Sequence, residues 1–228
     1  MPERLGFNPE GKIGSVDFPY KLKNVEAVDL ISELLSDERI AGHLDFLRKH
    51  HAPSYEHSVR VGTLSTDLCI ENHLQPEETK LVGAGGLLHD LGKCYIPLEV
   101  LAKNSPLTKE EMDLMRTHAR KGFERLIDPA FDGIREIVAS HHEHQNNPYP
   151  RNGNGNGKPA QPNRRNGEKK IYERAAIVAA ADIFDALASH RPYNQEYSFK
   201  EIEQIIHEKY TGDPKLIEQI LNRYKEQE

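Results

Sequence analysis

Inward-facing histidines and aspartates on apolar helical stripes constrain this chain more than any other feature. Five separate segments show the pattern. His57 recurs with Val61, Leu64 and Leu68, and the almost wholly apolar run from Leu81 to Leu88 ends on His89-Asp90. His118 shares a face with Met115, Gly122 and Leu126, and His141, beside His142, lies with Ile134, Ile137 and Val138. Asp182 and Asp185 follow Ile171, Ala175 and Val178 on one stripe. Spacings of three and four are helical, and no convincing strand pattern interrupts them, so the fold class is all-α. A single inward histidine is ordinarily a hydrogen-bonded core residue. Seven such residues (His57, His89, Asp90, His118, His141, His142 and Asp182) would leave a costly polar array in one core with no cation to hold them. A metal cluster accounts for them together.

The stretch Leu87-Leu88-His89-Asp90-Leu91-Gly92-Lys93 concentrates the chemistry. His89 supplies a neutral nitrogen ligand, and Asp90 a carboxylate able to bridge two cations. Gly92 suits a helix end, where positive φ is often needed. Lys93 can place a fixed positive charge beside a metal-bound phosphate. These are parts for metal-assisted phosphoester hydrolysis. The formal charge of −6 argues against binding a nucleic-acid polymer, which needs a basic surface. Cys69 and Cys94 suggest no disulfide framework. With no secretory leader and no apolar run long enough to span a bilayer, the expected setting is a reducing cytoplasm without membrane attachment.

Residues 1–23 read as a loosely packed arm, followed by a helix capped by Asn24 and a second short helix from Ile40 to Lys49. Together 1–53 form an N-terminal arm with helices, and 54–226 the main domain. Thr108…Glu111 and Ser198…Glu201 have the form of capping boxes, the first opening one long helix. From Asn146 to Gly167 proline, asparagine, glycine and basic residues dominate, which predicts a long mobile loop inside the domain.

The order His57, His89-Asp90, Asp182 resembles the HD superfamily of metal-dependent phosphohydrolases, helical bundles named for that dipeptide. His118 and His141-His142-Glu143 resemble its HD-GYP branch, whose known members hydrolyse cyclic di-GMP. Ile96-Pro97, Leu107-Thr108, Ala181-Asp182-Ile183-Phe184-Asp185-Ala186-Leu187 and Arg191-Pro192-Tyr193 follow in that branch's order. The resemblance implies a phosphodiesterase with two divalent cations, iron or manganese by the mixed His/carboxylate donors. His57, His89, Asp90 and Asp182 would hold one cation, and His118, His141 and His142 the other, with Asp90 bridging. Asp90 and Lys93 would be catalytic, and Lys93, Arg191 and Tyr149 would bind substrate. Asp185 would orient a histidine or pair with an arginine.

Two departures stand out. The Gly-Tyr-Pro element reads Asn146-Asn147-Pro148-Tyr149-Pro150, with proline for glycine and one residue fewer before it. Pro53 stands where members with a third metal carry a glutamate, which implies two metals rather than three. The expected substrate is a cyclic dinucleotide, cyclic di-GMP first. The alternatives are another nucleotide or phosphomonoester, or a catalytically weak nucleotide-binding regulatory module.

Overall fold

The computed structural model describes residues 7–8, 12–13, 15–149, 166–189 and 197–225. Within them the chain is a helical bundle: α1 (Val25–Ser36), α2 (Glu38–His50), α3 (Ala52–Glu71), α4 (Pro76–Leu88), α5 (Leu98–Leu101), α6 (Lys109–Arg116), α7 (His118–Arg125), α8 (Ile134–Ser140), α9 (Asn166–Ala188), α10 (Phe199–Lys209) and α11 (Pro214–Lys225). A 3-10 turn, Leu91–Tyr95, follows α4. Among the described residues no helix is long and apolar enough to cross a membrane. The interior of the expected loop, 150–165, and Arg191 lie outside the described residues.

The central element is α3, which packs against α1, α2, α4 and α9. Because neighbours surround it, small and polar residues such as Ser58, Thr63, Ser65 and Thr66 are buried along with Val61, Leu64 and Leu68. The hydroxyls of Thr63 and Thr66 donate to the carbonyls of Val59 and Gly62 one turn back, which satisfies them inside the helix. On one side, α3 shares a core with Val178, Phe184, Ile206 and Ile220. On the other, Val28, Ile31, Leu44 and Leu47 pack with Val59, Leu87 and Leu88. The first two helices are thus built into the same body as α3 and α4.

The α3–α4 contact is close because both helices present glycine. A Cβ on Gly86 would lie 2.8 Å from the Gly62 Cα, and one on Gly62 would lie 2.8 Å from the Leu87 side chain. Glycine lowers helix propensity by about 1 kcal/mol per residue. Here it allows the end of α4 to sit beside the start of α3, which brings His89 to His57.

Several local expectations differ from the structure. The N-terminal segment carries a small antiparallel ribbon, β1 (Phe7–Asn8), β2 (Lys12–Ile13) and β3 (Val16–Asp17). Strands of two residues are too short to show alternation. Nor is the described part of this arm loosely packed: Ile13, Val16 and Tyr20 are each only 2% exposed. Asn24 stands at the N-cap of α1 but makes no side-chain cap; its amide donates to Asp67 Oδ1 at 2.8 Å. That carboxylate is buried with Arg223, whose Nε donates to Oδ2 at 2.7 Å. A distant ionic partner has outcompeted the local cap. The helix expected to run on from Thr108 is broken at Thr117 into α6 and α7. There the Thr117 hydroxyl donates to the Leu114 carbonyl at 2.6 Å and the His118 ring binds the Met115 carbonyl, which favours a turn over continued helix. The Thr108 capping box itself is formed, as is that at Ser198.

Gly92 is needed for space and not for a positive φ. The only positive-φ glycine among the described residues is Gly133. A Cβ on Gly92 would overlap the His118 carbonyl oxygen and lie 2.6 Å from the Gly122 nitrogen. Both are backbone atoms that no rotamer change can move. Gly92→Ala is therefore expected to cost about 3 kcal/mol, at the upper end for overpacking, and to displace His118. A denaturant midpoint equal to that of the wild type would contradict this contact.

Candidate metal centre

Each expected ligand is delivered by an element end or by an inward helical face. His57 lies in the second turn of α3, and His89 caps the C-terminus of α4. Asp90 precedes the 3-10 turn. His118 opens α7, His141 closes α8, and Asp182 lies on α9. The structure brings all seven into one buried cluster. Three overlapping groups have donor atoms within 4.8 Å of one another: His118, His141 and His142; His57, His89 and Asp90; His89, His141 and Asp182. The third group joins the other two into a continuous site.

The hydrogen bonds determine which ring nitrogen faces the centre. The Nδ1–H groups of His89, His118 and His141 donate to the carbonyls of Gly86, Met115 and Val138 at 2.7, 2.8 and 2.7 Å. A carbonyl can only accept, so the proton is on Nδ1 and the Nε2 lone pair points inward. His57 Nδ1–H donates to Asp185 Oδ2 at 2.7 Å, and its Nε2 faces Asp182 Oδ1 at 3.0 Å, a position a cation would take over from a proton. The Gln145 amide nitrogen donates to His142 Nδ1 at 2.7 Å, which orients the ring and, without a cation, puts its proton on Nε2. Asp185 Oδ1 accepts in turn from Arg60 Nε at 2.8 Å, so Asp185 both orients a histidine and pairs with an arginine.

The Nε2 atoms of His89, His118 and His141 converge as acceptors. His118 Nε2 lies 3.3 Å from His141 Nε2 and 3.2 Å from His142 Nε2, and His89 Nε2 is buried without any hydrogen-bond partner. Lone pairs in such proximity do not bond to one another. Burial holds His89, His118, His141 and His142 neutral, His118 down at about 4 and His142 at about 3. Protonation near neutral pH therefore does not relieve the crowding. A cation does, and the donor set fits one: imidazole nitrogens with two carboxylates, each ring already oriented by a second partner.

The carboxylates complete the electrostatics. Asp90 is 1% exposed; its Oδ1 lies 3.4 Å from His118 Nε2, and its Oδ2 lies 3.5 Å from His89 Nε2 and 3.8 Å from His57 Nε2. Asp182 Oδ1 lies 3.0 Å from His57 Nε2 and 3.7 Å from His89 Nε2. Burial alone would raise both acids. For Asp90 the Lys93 ammonium and the surrounding imidazoles outweigh it, and for Asp182 the His57 hydrogen bond does, so both stay ionised well below the usual range. Burial also opposes charge on His57, but its hydrogen bonds to Asp182 and Asp185 win and raise it.

Lys93 reaches the site, its Nζ 2.5 Å from Asp90 Oδ2. Tyr149 closes one side, its ring 4.3 Å from that of His142 at 33° and 6.2 Å from that of His118. The Arg116 guanidinium stands 5.9 Å over the Tyr149 ring. Sequence reasoning passed over Arg116 and Gln145. The i,i+3 spacing of His142 and Gln145 was the available signal; Arg116 meets Tyr149 only through tertiary structure.

Comparison with known proteins fits this geometry. The HD domain family matches residues 54–187, more than half of the chain. A cyclic di-GMP phosphodiesterase of Thermotoga maritima is 33% identical over 181 residues, 76% of this chain and 45% of that protein. The 3'3'-cGAMP-specific phosphodiesterase 2 of Vibrio cholerae is 32% identical over 162 residues, 67% of this chain and 28% of that protein. The chain spans less than half the length of these curated relatives. The HD domain of the L. monocytogenes phosphodiesterase PgpH, solved in complex with cyclic-di-AMP, superimposes with a TM-score of 0.51 at 20% identity, over 78% of this chain and 82% of that one. This last likeness is one of fold.

Proposed function

From the premise that the chain belongs to the HD domain family, we propose that it is a metal-dependent phosphodiesterase that hydrolyses a cyclic dinucleotide, cyclic di-GMP first. The observation that carries this reading is the convergence of the His118 and His141 Nε2 lone pairs, 3.3 Å apart, with His142 Nε2 and with His89 Nε2, which has no hydrogen-bond partner. The relatives narrow the chemistry, since two that match this chain are named for cyclic dinucleotides.

His57, His89, Asp90 and Asp182 would hold one cation and His118, His141 and His142 a second. The two oxygens of Asp90 face the two groups, which suits it to be shared. When bound, divalent cations supply Lewis-acid polarisation of a phosphoryl oxygen and a nucleophilic water at neutral pH. Imidazole and carboxylate donors favour iron or manganese, and neither Cys69 nor Cys94 joins the donor groups. Asp185 and the backbone carbonyls keep the ligand lone pairs directed inward. Lys93 forms an ion pair with Asp90. With the Asp90 charge shared by cations, its ammonium can turn to a phosphoryl oxygen and stabilise charge that develops there. Tyr149 walls the substrate side of His142, and Arg191 would contact a second phosphate.

A second reading, hydrolysis of 3'3'-cGAMP, is favoured by the Vibrio cholerae relative and by Pro148 in place of the glycine before Tyr149, which alters the loop near the substrate. The test is a panel on metal-loaded protein: cyclic di-GMP, 3'3'-cGAMP, cyclic-di-AMP, cyclic mononucleotides and nucleoside monophosphates, with products separated by chromatography. The expected result is linearisation of cyclic di-GMP. Cleavage of monophosphates alone would point to a general phosphohydrolase, and binding without cleavage to a regulatory module.

A further inference from the structure

We propose that Arg60 and Tyr20 are positioning residues for the cation held at His57, so that the N-terminal segment is part of the centre's scaffold. The inference rests on the two-cation reading above. His57 can offer its Nε2 lone pair only if Nδ1 carries the proton and the ring is held in place. Asp185 Oδ2 does both at 2.7 Å. Asp185 is fully buried, so its free oxygen needs a partner, and Arg60 Nε supplies one at 2.8 Å to Oδ1. Arg60 lies one helical turn beyond His57 on α3 and reaches across to α9. Ligand, orienting acid and arginine thus form a closed link between two helices.

Tyr20 supports that link from outside the matched family region. Its hydroxyl donates to the Arg60 carbonyl at 2.9 Å, and its ring meets Phe184, the neighbour of Asp185, at 5.6 Å. The following residues are clamped further along α3: the backbone nitrogens of Lys23 and Asn24 donate to Asp67 at 3.2 and 2.8 Å. The segment therefore fixes α3 at two points and touches α9 beside Asp185. The hydroxyl bonds the backbone of Arg60, so Tyr20 acts on the link through the position of α3.

The test is equilibrium dialysis against manganese followed by metal analysis, on wild type, Arg60→Leu, Arg60→Lys and Tyr20→Phe, with melting temperatures measured in the absence of metal. In Arg60→Leu one of the two metal equivalents should bind about 10–100-fold more weakly while the other is unchanged. Arg60→Lys should recover part of the loss, and Tyr20→Phe should show a smaller weakening of the same equivalent. A purely structural role would lower the melting temperature and leave the affinity of folded protein unchanged; that result overturns the proposal. If Arg60→Leu does not fold, the Arg60→Lys and Tyr20→Phe affinities decide in the same way. Wild type that binds no manganese sinks the two-cation reading and this inference with it, whereas normal wild-type binding with unaltered variants sinks the inference alone.

Discussion

Asp90→Asn is expected to leave a folded protein that has lost tight binding of both cations and at least about 10³-fold in turnover, or about 4 kcal/mol of transition-state stabilisation. The substitution preserves shape and removes one charge. The effect should be large because the carboxylate is 1% exposed and faces both groups of histidines, with Oδ1 toward His118 and Oδ2 toward His89. An amide offers one neutral acceptor and cannot share a negative charge between two cations. Metal analysis and steady-state rates on the same sample check the two losses together. A variant with full metal content and wild-type turnover would show that Asp90 is only the ion-pair partner of Lys93.

Lys93→Met should separate metal binding from the chemical step. Lys93 donates to Asp90, and its ammonium has no lone pair to offer a cation, so the variant should keep its metals. Turnover at saturating substrate should fall on the order of 10²–10³-fold, the range for removing one charge-stabilising donor. The thioether chain retains the packing of the lysine stem, so stability should change little. Turnover equal to wild type would remove Lys93 from the reaction and leave it an ion-pair partner in the metal-free protein.

The seven clustered histidines and aspartates were legible because each lies on, or at the end of, an apolar stripe. Three-and-four spacing places His57 with Val61 and Leu64, and the structure buries all three. The capping boxes at Thr108 and Ser198 were legible for a similar reason: both partners lie within one turn. What the sequence hid depends on long-range contacts. Asn24 has the composition of a cap, but Asp67, 43 residues away, takes its side chain. Gly92 looks like a helix-end glycine, yet the constraint is the passing backbone of His118 and Gly122. The burial of Tyr20 required knowing that α3 and α9 leave a place for it. Asp185 was visible as a residue one turn from Asp182; that its arginine is Arg60, one turn past His57, was not.

The most direct test of the central claim is the metal content of wild-type protein, prepared anaerobically with iron and separately with manganese. The site offers two groups of oriented imidazole donors joined through Asp90, and about two metals per chain are expected. A stoichiometry near zero under both conditions would contradict it, because the crowded Nε2 lone pairs would then be held together without the cation they are arranged to meet.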